Sequence, residues 1–147
     1  MRVTLCLPNG TVGRSGCGSD LGWAAEETAA AAAMPAGKAD ATDPIERVSS
    51  RPDFQVLVYP GAAAADNFVV PKDAPPAFLA GTTEDAPHAL SAAKLYLAFL
   101  DAKIPAELHI YNTGAHGFAL EIKDLPVSSW NDRLEDWLKD MKILKKN

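Results

Sequence analysis

The segment Tyr111-Asn112-Thr113-Gly114-Ala115-His116-Gly117-Phe118 puts one histidine among small residues, directly after an apolar run at residues 107–111. The flanking glycines leave the imidazole uncrowded and let the backbone turn sharply. A loop at the C-terminal end of a strand is where an open α/β sheet gathers its chemistry. The same residues also read as a surface histidine in a Gly-rich turn, so the functional reading needs partners. Asp85 supplies one. It closes a second loop, Gly81-Thr82-Thr83-Glu84-Asp85-Ala86-Pro87, which follows the apolar run 77–80. If the two runs are neighbouring parallel strands, both loops leave one sheet edge. A carboxylate there would hold the imidazole in one tautomer and stabilise its cation, the orienting role of a Ser-His-Asp system. Glu84 is the adjacent alternative, and both acids also suit the positive end of a following helix.

A nucleophile should precede both loops. Gly13-Arg14-Ser15-Gly16-Cys17-Gly18 offers Ser15. A nucleophile elbow turns so tightly from strand to helix that the positions two before and two after the serine must be small. Gly13 meets the first condition; Cys17 stands at the second, and its Cβ would crowd the turn. Pro8-Asn9-Gly10 interrupts the strand ahead of it, leaving Thr11 and Val12. The competing reading is a flexible Gly/Ser segment. Cys17 is a weaker nucleophile candidate because it lacks the elbow position. His109 lies within the strand 107–111 and reads as structural or surface, and His88 opens a helix after Pro87. No metal-ligand spacing, P-loop or GxGxxG fingerprint is present, so neither metal nor cofactor is expected.

The elements that must carry these residues follow from periodicity and breakers. Gln55-Val56-Leu57-Val58-Tyr59 is a nearly continuous apolar run ended by Pro60-Gly61, suited to a strand covered on both faces. Residues 60–76 hold four prolines and read as loop. Ala77-Phe78-Leu79-Ala80 is a second buried strand and residues 107–111 a third. Residues 88–103 read as a helix with a Leu90, Ala93, Leu97, Leu100 stripe. The last helix starts near Ser128 or Ser129, either able to cap it, with Trp130, Leu134, Trp137 or Leu138, and Met141 facing inward. Strand, helix, strand, helix implies parallel crossovers and an α/β sheet. Residues 21–33, ending in five alanines, favour another helix that stops before Pro35.

Composition bounds the partners. The chain has 147 residues, 48% of them hydrophobic, and a net charge of −5. That suffices for one globular core and argues against nucleic-acid binding, which calls for a basic face. Lys139, Lys142, Lys145 and Lys146 read as a solvated helix end. Cys6 and Cys17 make neither a zinc signature nor a disulfide scaffold. No run approaches the ~18 apolar residues of a membrane helix, and residues 1–7 are too short for a secretory leader. The expectation is a cytoplasmic chain with no membrane partner; a missing N-terminal part would make secretion the alternative.

The chain divides by composition into an Ala/Gly-rich segment, residues 1–42, and residues 43–147. The second portion resembles the C-terminal half of an α/β-hydrolase of the acetylxylan-esterase and dienelactone-hydrolase-like type. The resemblance rests on Asp43-Pro44-Ile45-Glu46-Arg47-Val48-Ser49-Ser50-Arg51-Pro52-Asp53-Phe54, Leu57-Val58-Tyr59-Pro60 and Pro75-Pro76-Ala77-Phe78-Leu79. Two further stretches carry it: Ile104-Pro105-Ala106-Glu107-Leu108-His109-Ile110-Tyr111 and Gly114-Ala115-His116-Gly117-Phe118. It implies a truncated α/β-hydrolase-like, mostly parallel sheet with flanking helices. It assigns the triad aspartate to Asp85, the histidine to His116 and, through a degenerate elbow, the nucleophile to Ser15, with the Gly16 N–H as an oxyanion donor. Gly81 stands where the family has a histidine. The family's early strands and their His-Gly-Gly-rich oxyanion loop have no counterpart, the pattern a truncated or frame-disrupted gene would leave. The activity implied is hydrolysis of carboxylic esters, extending to acetyl groups on xylan or a similar carbohydrate, without a cofactor. The alternative is a catalytically impaired remnant that self-associates as a homo-oligomer to cover its exposed sheet. A glycan-binding role for Trp23, Trp130 or Trp137 is weaker, because Trp130 and Trp137 sit at core-type helical spacing.

Overall fold

A computed structural model describes residues 3–6, 37–49, 51–61, 69–118 and 124–145. Among the described residues the sheet has four strands: β1 (Val3–Cys6), β2 (Phe54–Val58), β3 (Ala77–Thr82) and β4 (Ala106–Tyr111). They lie in sequence order and every neighbouring pair is parallel. Parallel neighbours need crossover connections. Helix α1 (Ala86–Asp101) makes the crossover from β3 to β4, and helix α2 (Trp130–Asp140) follows β4.

The two central strands are apolar on both faces because both faces are covered. Every residue of β2 and of β3 is buried. Alternate side chains feed two cores. On one side Phe54, Val56, Val58, Phe78 and Ala80 meet Trp130, Trp137 and Leu138 of α2. On the other, Leu57, Ala77 and Leu79 meet Leu95 and Phe99 of α1. Gln55 is the polar member of β2, and its Nε2 donates to the Pro75 carbonyl at 3.0 Å. Trp137 packs edge-on to Phe54, with ring centroids 6.0 Å apart, so the tryptophans of α2 are core residues.

Three details differ from the sequence reading. First, β3 runs two residues beyond Ala80, taking in Gly81 and Thr82, which pair with Ile110 and Tyr111. A Cβ on Gly81 would meet Ile110 Cδ1 at 3.4 Å and the Cα of Ala89 at 3.6 Å, ordinary contact distances, with the start of α1 lying over the strand. Second, α1 buries a different stripe from the expected one. Leu90, Leu97 and Leu100 are exposed, whereas Ser91, Ala92, Leu95 and Phe99 face the sheet. The helix is apolar nearly all round, so two stripes satisfy the 3.6-residue period. The buried one combines the small Ser91 and Ala92 with the larger areas of Leu95 and Phe99. Third, α2 has no side-chain cap: the Ser129 hydroxyl donates to the Pro126 carbonyl at 2.8 Å, closing a 3-10 turn (Pro126–Ser129) instead.

The apolar start of the chain is itself a strand. β1 pairs with β2 from Val3↔Phe54 to Cys6↔Leu57, so the sheet continues across the compositional boundary near Asp43. The predicted helix at residues 21–33 lies outside the described residues. The choice of stripe on α1 predicts that Phe99→Ala lowers stability by about 3–5 kcal/mol, whereas Leu97→Ala changes it by about 0.5 kcal/mol or less. Chemical denaturation of the two variants checks it; equal losses would contradict the observed face.

Candidate active site

β3 and β4 end side by side, with Thr82 opposite Tyr111, so the loops that follow them meet. Four consecutive residues, beginning with the last of β3, each reach toward the loop after β4. The Thr82 hydroxyl donates to the Ala115 carbonyl at 3.3 Å, and the Thr83 hydroxyl to the Asn112 carbonyl at 2.6 Å. One carboxylate oxygen of Glu84 accepts the Gly114 and Ala115 amides at 2.9 and 3.1 Å. Asp85 Oδ2 lies 2.6 Å from Nδ1 of His116. The two acids therefore divide the work: Glu84 fixes the backbone that carries the imidazole, and Asp85 meets the imidazole itself.

The histidine loop is tightly formed. Gly114 has φ +141, and a Cβ there would stand 2.7 Å from Val127 Cγ1 and 3.0 Å from Thr82 Cγ2. Ala115 adopts φ 50, a left-handed conformation that costs a non-glycine residue about 1 kcal/mol and persists because both of its polar backbone groups are held. The loop's far side rests on Tyr59, at the C-terminal end of β2. Its ring centroid is 4.5 Å from that of His116 and 5.1 Å from that of Phe118. Tyr59 also has a positive φ of 41, and its amide donates to the Ala80 carbonyl at 2.6 Å. These contacts make Tyr59 part of the site, whereas in the sequence it is only the last residue of an apolar run.

His88 belongs here too. Its Nδ1 lies 2.6 Å from Asp85 Oδ1, and its ring centroid is 4.6 Å from that of His116. The sequence signal was the spacing of three residues between Asp85 and His88 at a helix start, which puts both on one face. The Asp85 side chain is 11% exposed and that of His116 is 41% exposed, so the carboxylate is sheltered while the imidazole opens to solvent. With Nδ1 facing the carboxylate, the neutral ring donates there and leaves Nε2 as the acceptor. His109, by contrast, meets Glu107 at 2.8 Å and stacks on Phe78, within the sheet and outside this cluster. Nearby, burial raises the phenol pKa of Tyr111 above its ordinary value, with a smaller opposing effect of Ser129.

Asp85, His88 and His116 have ligand atoms within 4.8 Å of one another, a set that can hold a divalent cation. The 2.6 Å N···O separations are shorter than the ~3.3 Å between ligands set by Zn bonds of about 2.0–2.1 Å. The arrangement is thus a hydrogen-bonded one, and the carboxylate would have to withdraw to admit a metal. Ser15, Gly16 and Cys17 lie outside the described residues.

No family model and no curated protein matches the chain. Solved structures do. An acetyl ester-xyloside bifunctional hydrolase from Caldicellulosiruptor lactoaceticus is 24% identical, with a TM-score of 0.69, over 84% of this chain and 56% of that one. An α/β-hydrolase enzyme from a Medee basin deep-sea metagenome library is also 24% identical, with a TM-score of 0.55 over 84% and 54%. A carboxylesterase from Lactobacillus plantarum is 20% identical, with a TM-score of 0.58 over 72% and 53%. The chain has part of the α/β-hydrolase fold, spanning about half the length of the solved chains it matches.

The Glu84 clamp predicts that Glu84→Ala speeds hydrogen exchange at the Gly114 and Ala115 amides about tenfold, the effect of losing about 1.5 kcal/mol of charge-assisted hydrogen bonding. Unchanged exchange at both amides would show that the loop is held by other contacts.

Proposed function

We propose that the chain carries the acid–base half of an ester-hydrolase site, with His116 as general base and Asp85 as its orienting carboxylate. The observation that carries this reading is the 2.6 Å contact between Asp85 and His116, at the common end of two parallel strands. In the reaction, Nε2 of His116 takes the proton of a nucleophilic hydroxyl as it attacks the acyl carbon, then returns a proton to the leaving alcohol. Asp85 keeps Nδ1 protonated and stabilises the imidazolium between the two transfers. Ser15 is the proposed nucleophile and the Gly16 N–H its oxyanion donor, as the resemblance implies. The ester hydrolases among the structural neighbours support the reaction class, and the substrate named for the Caldicellulosiruptor enzyme extends the proposal to acetylated carbohydrates. Among the described residues, no helix is long and apolar enough to cross a membrane.

A second reading, a catalytically impaired remnant that self-associates, draws on Cys17 standing where an elbow calls for glycine and on the exposed Leu90, Leu97 and Leu100. The two separate in one experiment. With a chromogenic acetyl ester, His116→Ala and Asp85→Ala should each lower the rate about 10²–10⁴-fold, and Ser15→Ala should match them. Loss with His116→Ala but not with Ser15→Ala would move the nucleophile elsewhere. A rate indifferent to His116 would contradict the site.

A further inference from the structure

The residue that directs Asp85 toward His116 lies one helical turn away. Asp85 occupies the N-cap position of α1, where an aspartate usually accepts the amide of the second or third helical residue. Here its side chain makes no such bond. The second helical residue is Pro87, which has no N–H to offer. The third is His88, which turns its ring, and not its amide, to the carboxylate, with Nδ1 2.6 Å from Oδ1. His116 takes Oδ2 at the same distance. Among the described residues, these two imidazoles share the carboxylate, one on each oxygen.

The geometry points to His88 as a positioning residue for the Asp85–His116 pair. A carboxylate with a donor on each oxygen has its rotation about the Cβ–Cγ bond fixed. With the His88 donor removed, Oδ1 is drawn to water or to the amide of residue 88, its ordinary capping partner, and either turn swings Oδ2 away from His116. The sequence Asp85-Ala86-Pro87-His88 thus does two things: proline deletes one competing donor, and histidine occupies the carboxylate before the backbone can. The His88 side chain is 26% exposed against 11% for Asp85, so the carboxylate is the more sheltered of the two. The His88 ring also packs 4.6 Å from that of His116, and its effect on the pair is exerted through Asp85.

This inference deepens the reading of His116 as a base held by Asp85 and rests on it. The test is the imidazole N–H resonance of His116 in the full chain, recorded by NMR with nitrogen-labelled histidine. Wild type should show a low-field, slowly exchanging Nδ1 proton that Asp85→Ala removes. If Asp85→Ala leaves it unchanged, the pair itself is wrong and this inference falls with it. Given that resonance, His88→Ala and the bulkier His88→Leu should each speed its exchange with water at least about tenfold. His88→Asn, which can place an amide N–H where Nδ1 stands, should keep it within about twofold. With ester substrate, kcat should fall about tenfold in the alanine and leucine variants at unchanged KM, and recover in the asparagine variant. A His116 proton equally protected in the alanine and leucine variants would overturn the positioning role while leaving the Asp85–His116 pair intact. An equal loss of melting temperature in all three variants, with no recovery by asparagine, would overturn it in favour of a purely structural histidine.

Discussion

One carboxylate and one imidazole, 2.6 Å apart across the ends of two strands, organise the functional end of this molecule. The contact is long in sequence, 31 residues, and short in space only because β3 and β4 are parallel and in register up to Thr82 and Tyr111. A slip of one residue would reverse the side chains of β4 across the sheet and separate the loops. Burial resists such a slip. Both faces of β3 are covered, by α1 on one side and α2 on the other, so moving it would expose Phe78 or Leu79.

The loop after β3 acts as a template for the loop after β4. Thr82, Thr83 and Glu84 satisfy backbone groups of the partner loop, and Asp85 satisfies its side chain. This division explains why two acids stand together. Glu84 holds the amides of Gly114 and Ala115, and Asp85 is left to meet His116. It also accounts for the left-handed backbone at Ala115, whose carbonyl accepts from Thr82 and whose amide donates to Glu84. Tyr59 supports the imidazole from β2, so three successive strands contribute to one side chain's position.

Much of this was legible in the sequence because the governing signals are local. The continuous apolar runs at 55–59 and 77–80 announced strands covered on both faces, and the stripe of Trp130, Leu134, Trp137 and Met141 announced the inner face of α2. The Gly-rich surroundings of His116 marked a loop of special conformation. What the sequence concealed depends on packing. The inner face of α1 was ambiguous because leucines and alanines surround the helix, so two stripes share the same period. His88 read as an ordinary helix start because its partner, Asp85, could equally have capped the helix. Only the absence of that cap bond exposes the pairing. Tyr59 gave no signal, since its role depends on a positive φ and on a loop far along the chain.

The account stands on an energetic coupling between Asp85 and His116, and a double-mutant cycle measures it without any appeal to activity. The stabilities of wild type, Asp85→Ala, His116→Ala and the double variant should yield an interaction energy of about 0.5–3 kcal/mol, as expected for directly bonded side chains. Strictly additive losses, with no interaction energy, would mean that the two groups do not meet in solution and would remove the basis of the site.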